Sequence, residues 1–197
     1  MSREYFKRTA VALSCVFLLV AYLCASLVSG MPISAESQSV YFIVEPTDSV
    51  AASSGSMSIR GGAGYEMADG GVAFCAYFLK EEAVKAHESL LLEYPTAELC
   101  TYTRNGGFDA KERVIVTAVK IVDGWIDFLS QGITQNRVRE GIGEVIATLQ
   151  YLADPLAEQF AEALMDCLDG VITVRDLRYT VCFVAERLWN GSKTTLF

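Results

Sequence analysis

The side chains that most often carry out catalysis are few and scattered in this sequence. His87 is the only histidine, and no serine or cysteine nucleophile motif accompanies it, so a Ser–His–Asp or Cys–His arrangement has no support. The acidic pairs Glu81/Glu82 and Asp123/Asp127 fall in helix-like segments, where carboxylates are normally solvated and seldom form a hydrolase pair. We therefore expect no catalytic residues, and a structural or surface role for His87.

Six cysteines are spread along the chain without any C-x-x-C pair, the spacing that zinc and thioredoxin-like sites favour. Cys15 and Cys24 fall in an apolar N-terminal stretch, and the other four lie in apolar surroundings that suit buried thiols. The alternative for two of them is a disulfide between Cys75 and Cys100, which requires neighbouring strands and an oxidising compartment. We expect neither a metal site nor a cofactor.

A glycine-rich segment, Gly61-Gly62-Ala63-Gly64, is the remaining feature with chemical potential. It lacks the lysine of a phosphate-binding loop and does not stand between a strand and a helix, as a dinucleotide-binding loop requires. It is typical of a turn within the long Ser/Ala/Gly-rich connection over residues 47–71. The alternative is a backbone surface for a ligand, assisted by Arg60 and Tyr65.

Composition and charge limit the classes of partner. Hydrophobic residues make up 52% of the 197 residues, more than is usual for a soluble domain. Residues 1–30 hold three of the 16 basic and one of the 24 acidic residues, so the remainder has 13 bases against 23 acids. An acidic body lacks the basic face that nucleic acids and anionic lipid surfaces require, and we expect no nucleic-acid partner.

An uncharged apolar run over residues 9–28 follows three bases near the N-terminus. About 20 apolar residues are enough to cross a bilayer as a helix, so we predict a transmembrane anchor over residues 9–29. The preceding bases favour a cytoplasmic N-terminus, which places the rest of the chain outside. The alternative is a cleaved signal peptide with Val28-Ser29-Gly30 at its exit. A lipoprotein is disfavoured because neither cysteine of the run stands at its end.

Strand-like segments and one helix are predicted after a polar tether over residues 31–39. The helix over residues 80–93 has apolar side chains at helical spacing and ends before Pro95, because proline disfavours helical geometry in the residue before it. The strands are rich in β-branched and aromatic residues and are predicted over residues 40–45, 72–79 and 97–103. The order predicts a compact strand–helix–strand unit within an α/β module over residues 40–103.

The hydrophobic period changes from two to 3.6 in the second half of the chain, which predicts four amphipathic helices over residues 108–190. Asp109 and Glu112 have the spacing of a capping box. Asp154-Pro155 provides a cap and a proline at the first helical position, and Thr173 with Asp176 provides another cap. The short links between the helices suggest an antiparallel bundle, followed by a tail over residues 191–197.

One local pattern matches a known family. The strand ends at the small-x-aromatic step Ala76-Tyr77-Phe78, the next helix opens with Glu81-Glu82-Ala83, and Tyr94-Pro95 turns into the following strand. With these features, residues 40–103 resemble the core of SPOR-type (sporulation-related repeat) domains. The resemblance implies a small ferredoxin/RNP-like α/β module that follows one membrane helix and a tether.

The resemblance also implies a ligand. SPOR-type domains bind bacterial wall glycan strands that lack stem peptides, and the natural platform is a sheet face with aromatic groups that stack on sugar rings. The candidates in this chain are Tyr41, Ile43, Phe74, Tyr77 and Tyr102, although strand alternation allows only some of them to share a face. The sequence departs from the family in having Ala76 where a glycine is usual, a long loop after the first strand, and additional helices at its end.

These observations together predict an α+β protein with an N-terminal transmembrane helix, a small ferredoxin/RNP-like α/β module and a C-terminal bundle of about four helices. The expected function is that of a non-catalytic, extracytoplasmic envelope protein that binds peptidoglycan glycan or a sporulation or cell-division partner. The expected localisation is the cell membrane, single-pass. The alternative is a scaffold subunit of an envelope complex that does not bind glycan.

Overall fold

The computed structural model describes residues 39–46, 62–132, 134–189 and 192–196. The predicted anchor over residues 9–29, most of the tether and Arg60 lie outside these ranges. Among the helices that the structure describes, none combines the length and the apolar character needed to cross a membrane.

The described strands form one five-stranded antiparallel sheet. Their bounds are β1 Ser39–Glu45, β2 Tyr65–Glu66, β3 Val72–Tyr77, β4 Glu98–Thr103 and β5 Ser192–Thr195. The spatial order is β2-β3-β1-β4-β5. Because β1 is antiparallel to both β3 and β4, those two strands run parallel to each other with β1 between them. Helix α1, Lys80–Leu90, connects β3 to β4, which makes a split β–α–β unit.

The three strands predicted from their apolar, β-branched composition are confirmed as β1, β3 and β4. The two edge strands are not evident from the sequence. β2 has only two residues, and β5 has the sequence Ser-Lys-Thr-Thr, without hydrophobic alternation, in the segment expected to be a tail. Strand β2 pairs with β3 across a short turn, and β5 pairs with the distant β4; in both cases the partner strand specifies the edge strand, not its own composition.

Different helices cover the two faces of the sheet. On the α1 face, Ile43 and Leu99 pack with Ala83 in one hydrophobic cluster. Phe74 and Cys75 both belong to this cluster because the β1–β3 register shifts between Ile43 and Val44, a β-bulge that places two successive side chains on the same face.

The opposite face of the sheet packs against the four helices that follow β4. Their bounds are α2 Ala110–Ser130, α3 Gln135–Gln150, α4 Pro155–Leu168 and α5 Val174–Leu188. The predicted capping box is confirmed at the start of α2, where Asp109 and Glu112 bond reciprocally. The predicted caps of α4 and α5 are confirmed at Asp154 and Thr173. Helices α2 and α4 each contact both α3 and α5, and α5 also lies against β3.

An aromatic cluster joins the sheet to these helices. Trp189 is fully buried at the end of α5, and its ring centroid lies 5.6 Å from that of Phe78 and 5.1 Å from that of Phe108. Arg104 covers the Phe108 ring and donates to the Leu188 carbonyl at 2.9 Å. The sheet and the helical region therefore share one continuous hydrophobic cluster, and no solvated linker separates them.

The disulfide considered between Cys75 and Cys100 does not fit this topology. Cys75 is on β3 and Cys100 on β4, and β1 lies between them. Since adjacent strands are about 4.8 Å apart, the two Cα atoms are separated by roughly 9–10 Å, beyond the span of about 7 Å that a disulfide allows. The two side chains also belong to different faces, and both thiols are free and buried.

Candidate ligand-binding cleft

A polar cleft of about 630 Å³ opens beside the sheet on the side of the helical region. It brings together side chains from β2, the β2–β3 turn, β4, α5 and β5, which are distant along the chain. The lining residues are Tyr65, Glu66, Ala68, Asp69, Tyr102, Glu186, Arg187 and Lys193. Two tyrosines and charged groups of both signs therefore face one space, as binding sites for polar ligands commonly require.

The first cluster of polar side chains in the cleft is centred on the Asp69 carboxylate. Its Oδ2 atom accepts a hydrogen bond from the Tyr102 hydroxyl at 2.6 Å and lies 2.9 Å from Lys193 Nζ. Tyr102 and Lys193 are directly opposite each other across β4 and β5. Their side chains therefore leave the sheet together, with Cβ atoms about 4.5–5.5 Å apart.

The second cluster of polar side chains is centred on Glu186 of α5. Its two carboxylate oxygens accept from the Tyr65 hydroxyl at 2.6 Å and from the Ala68 backbone N–H at 2.8 Å. Arg187 donates to the Tyr65 hydroxyl at 3.3 Å and lies over the Phe183 ring. Both clusters thus attach the β2–β3 turn to other elements. Ala68 bonds to Glu186 of α5, and Asp69 bonds to Tyr102 of β4 and Lys193 of β5.

The conformation of that turn depends on two glycines. Met67 N–H donates to the Gly71 carbonyl, and Gly70 N–H donates to the Met67 carbonyl, which closes the turn. Gly70 and Gly71 have φ values of 96° and 89°, in the left-handed region that glycine tolerates. Asp69 lies at the tip of this turn, and its carboxylate contacts Tyr102 of β4 and Lys193 of β5.

The pKa shifts in the cleft indicate which groups carry charge. Burial acts to raise the pKa of Asp69, but the hydrogen bonds from Tyr102 and Lys193 outweigh it, and the net pKa is lowered. Burial raises the pKa of Tyr102, and the hydrogen bond to Asp69 raises it further. Burial and Glu186 raise the pKa of Tyr65 in the same way. Near neutral pH the cleft therefore presents an ionised Asp69 and two neutral phenols that act as hydrogen-bond donors.

The structure brings only two of the sequence-predicted ligand residues into this cleft, Tyr65 and Tyr102. Both are mostly buried, with 6% of each side chain exposed. Four others pack on the α1 face of the sheet: Tyr41, Ile43, Phe74 and Tyr77. Helix α1 packs on that face, where Ile43 is 1% exposed and Phe74 8%, while Tyr41 and Tyr77 are partly buried. Arg60, the seventh candidate, lies outside the described residues.

A second set of interacting polar side chains surrounds Asp123 of α2 and Cys75 of β3. Burial raises the pKa of Asp123 to about 7, and the charges of Asp127 and Glu82 add to the rise, while Arg178 and Lys120 oppose it. Burial likewise raises the pKa of Cys75 to about 12, so this thiol is a poor nucleophile at neutral pH.

His87 lies in the core under the α1 face, with 4% exposure. Its Nε2 atom lies 2.8 Å from the Ala97 carbonyl, to which it donates, and so it attaches α1 to the start of β4. Among the described residues, no group of three or more His, Cys, Asp or Glu side chains is placed to hold a metal ion.

Five charged residues of the cleft were not predicted from the sequence: Glu66, Asp69, Glu186, Arg187 and Lys193. Asp69 carries a local signal for a turn, because Asp followed by glycine is typical of turns. The others carry none, since Glu186 and Arg187 follow the polar positions of an amphipathic helix, and Glu66 and Lys193 lie in strands that were not predicted. Their convergence depends on α5 and β5 folding back onto the sheet.

Comparison with family models, curated proteins and solved structures finds no match for this chain.

Proposed function

We propose that this chain is a membrane-anchored, non-catalytic protein of the bacterial envelope whose extracytoplasmic body binds peptidoglycan glycan or an envelope partner through the cleft. The observation that carries the proposal is the convergence of Tyr65 and Tyr102, two residues expected from the sequence to bind ligand, on one polar cleft. The uncharged run over residues 9–28 supports the anchor.

The chemistry of the cleft suits a ligand rich in hydroxyl and amide groups. Glu66 and Arg187 are exposed, so the Glu66 carboxylate can accept hydrogen bonds from a ligand and the Arg187 guanidinium can donate to one. Tyrosine hydroxyls and carboxylates fixed by hydrogen bonds add oriented groups that need no reordering on binding. A glycan strand offers many hydroxyl and amide groups along an extended shape, and so it is the ligand class that we favour.

The SPOR-like part of the proposal is supported by the split β–α–β unit formed by β3, α1 and β4 around β1. The binding mode that we propose differs from the one implied by the family resemblance. Because α1 covers one sheet face and α5 lies on the other, the ligand would contact the rim of the sheet at the cleft instead of lying across a flat aromatic face.

Sedimentation of the full-length, detergent-solubilised chain with purified glycan strands tests the proposed ligand. We expect the wild-type protein to sediment with the strands and the Arg187→Ala, Lys193→Ala double variant to remain in the supernatant. Arg137→Ala, Lys85→Ala is the matched control, since both side chains are exposed and lie outside the cleft. Equal loss in the control would assign retention to general charge, and no retention of the wild type would refute glycan binding.

The alternative is a scaffold function, in which large apolar side chains exposed away from the cleft would contact protein partners. Leu92 is 89% exposed, Tyr151 91% and Val171 76%. Exposed apolar groups mark protein contacts only when they form a contiguous patch. Crosslinking in intact cells distinguishes the two functions, because a scaffold role predicts protein adducts at these positions that survive enzymatic removal of the wall glycan.

The orientation in the membrane has its own test. A C-terminal epitope tag is expected to be cut by protease in intact cells from which the wall has been removed, because the anchor over residues 9–29 places the body outside. Protection of the tag until the membrane is opened would reverse the proposed localisation.

A further inference from the structure

The carboxylate of Asp69 occupies a small subsite whose donors come from elsewhere in the chain. Tyr102 and Lys193 donate to its Oδ2 atom at 2.6 and 2.9 Å. These two residues stand on β4 and β5, while Asp69 stands on a turn that begins after β2. The subsite is therefore built by the sheet, and its present occupant belongs to a separate element.

We propose that Asp69 is an internal stand-in for a carboxylate of the ligand, and that the cleft takes a carboxylate-bearing ligand on Tyr102 and Lys193 when Asp69 leaves. This inference deepens the proposed function, because it rests on the cleft being the ligand site and names a chemical group that the ligand must carry. An acidic sugar and an acidic peptide side chain share this group.

The donor pair is pre-arranged for such a ligand. Tyr102 and Lys193 are held opposite each other by the β4–β5 register, and the Lys193 Nζ atom lies 5.9 Å from the centroid of the Tyr102 ring. The Tyr102 ring is fixed in turn by an edge-on contact with Phe42, at a centroid distance of 5.2 Å. A neutral phenol and an ammonium fixed side by side recognise an anionic oxygen better than a neutral one.

Displacing Asp69 breaks its ion pair with Lys193 and the hydrogen bond from Tyr102. The side chains of Lys193 and Asp69 are 31% and 37% exposed, so solvent screens the ion pair and weakens it. The turn keeps a second attachment through the Ala68 N–H to Glu186, so release of Asp69 does not require release of the whole turn. An external carboxylate therefore competes with an internal one whose ion pair is weakened by solvent.

Competition between Asp69 and an external carboxylate predicts the direction in which Asp69 variants change the affinity for that carboxylate. If Asp69 occupies its own subsite most of the time, the measured affinity for an external carboxylate is reduced by the fraction of molecules with the subsite open. Asp69→Ala removes the side chain that fills the subsite, and Asp69→Asn replaces the carboxylate by a neutral and weaker acceptor. We therefore expect Asp69→Ala and Asp69→Asn to bind carboxylate probes about tenfold more tightly than the wild type, or better.

The experiment is a ligand-observed NMR titration of the full-length chain in detergent micelles. Glucuronate and N-acetylglutamate are the probes, with glucose and N-acetylglutamine as their uncharged matches. We expect both Asp69 variants to bind at least one probe about tenfold more tightly than the wild type does, and the uncharged matches to stay unbound. Adding Lys193→Gln to Asp69→Asn is expected to abolish the gain. Tighter binding of glucuronate identifies the ligand as an acidic sugar, and tighter binding of N-acetylglutamate identifies it as an acidic peptide.

Unchanged affinity in both Asp69 variants would overturn the inference, as would equal binding of glucuronate and glucose. Asp69→Asn preserves the size of the side chain, so it tests the subsite even if Asp69→Ala perturbs the turn. Failure here is distinguishable from failure of the proposed function. Glycan sedimentation without a gain in the variants would refute the stand-in role alone, and a gain without sedimentation would leave the subsite and remove the wall ligand.

Discussion

Tyr102 and Lys193, direct partners across β4 and β5, donate to the same oxygen of Asp69. This shared acceptor connects three elements: the β2–β3 turn, a strand of the predicted module and a strand formed by the end of the chain. The cleft therefore exists only when the C-terminal segment has joined the sheet. Truncation before β5 would remove one donor and the edge of the site together.

The first prediction concerns the hydroxyl of Tyr102. Tyr102→Phe removes the donor and leaves the ring in contact with Phe42, so we expect a loss of about 1 kcal/mol in the free energy of unfolding. Hydrogen bonds to charged groups contribute roughly 1.5–3 kcal/mol, and the exposure of Asp69 lowers that figure. Chemical denaturation measures the loss. Tyr151→Phe is the control, because Tyr151 is 91% exposed, and an equal loss there would refute the assignment.

The elements most readily predicted from the sequence are those whose own residues specify them. Helix α2 begins where Asp109 and Glu112 form their capping box, and α4 begins at Pro155 after the Asp154 cap. Strands β1 and β3 are predicted because their apolar, β-branched composition leaves few alternatives. In each case the signal is local, within about four residues of the boundary that it sets.

The cleft is less predictable because its residues are joined only by tertiary structure. Tyr65 and Glu186 are separated by 121 positions, and their hydrogen bond depends on α5 lying beside β2. The surroundings of the predicted aromatic residues depend on tertiary structure in the same way. Ile43 and Phe74 pack against α1, and strand alternation does not reveal which face of a sheet a helix will cover.

The second prediction concerns the pH dependence of stability at Asp123. Its pKa in the folded state is raised to about 7 by burial and by neighbouring acids, against about 3.9 in an unfolded chain. A group with a raised folded pKa contributes most to stability below its unfolded pKa, and the contribution is lost as pH rises through the folded pKa. We therefore expect Asp123 to destabilise the fold progressively from about pH 4 to 7, by at most about 4 kcal/mol.

Asp123→Asn should remove this dependence and raise the free energy of unfolding at pH 8. Denaturant titrations at pH 5, 6, 7 and 8 provide the comparison, with Glu162→Gln, at an exposed position of α4, as the control. If the pH profile of the Asp123 variant parallels that of the wild type, the carboxyl group of Asp123 is not the one that titrates.

The third prediction tests the turn that carries Asp69. An added Cβ at Gly71 would lie 2.5 Å from Val44 Cγ1 and 2.9 Å from the Glu45 carbonyl oxygen, at a φ of 89°. Gly106 has a similar φ of 105° with nothing within 4 Å. Both Gly→Ala changes incur the backbone cost of about 1 kcal/mol, and only Gly71→Ala adds a steric clash. We expect Gly71→Ala to lower the free energy of unfolding by at least about 2 kcal/mol more; equal losses would contradict this packing.

The last prediction compares two glycines on one helix. In α3, a Cβ at Gly141 would meet the Trp125 ring of α2 at 2.5 Å, while a Cβ at Gly143 meets nothing within 4 Å. Alanine is preferred over glycine within a helix by roughly 1 kcal/mol, so Gly143→Ala should raise the free energy of unfolding by up to about that amount. Gly141→Ala should lower it, because overpacking costs about 1–3 kcal/mol and outweighs the helical gain. Thermal denaturation of the two single variants measures the opposite signs. A gain at both positions would mean that α2 and α3 do not approach closely at Gly141, and the packing of the helical region against itself would need revision.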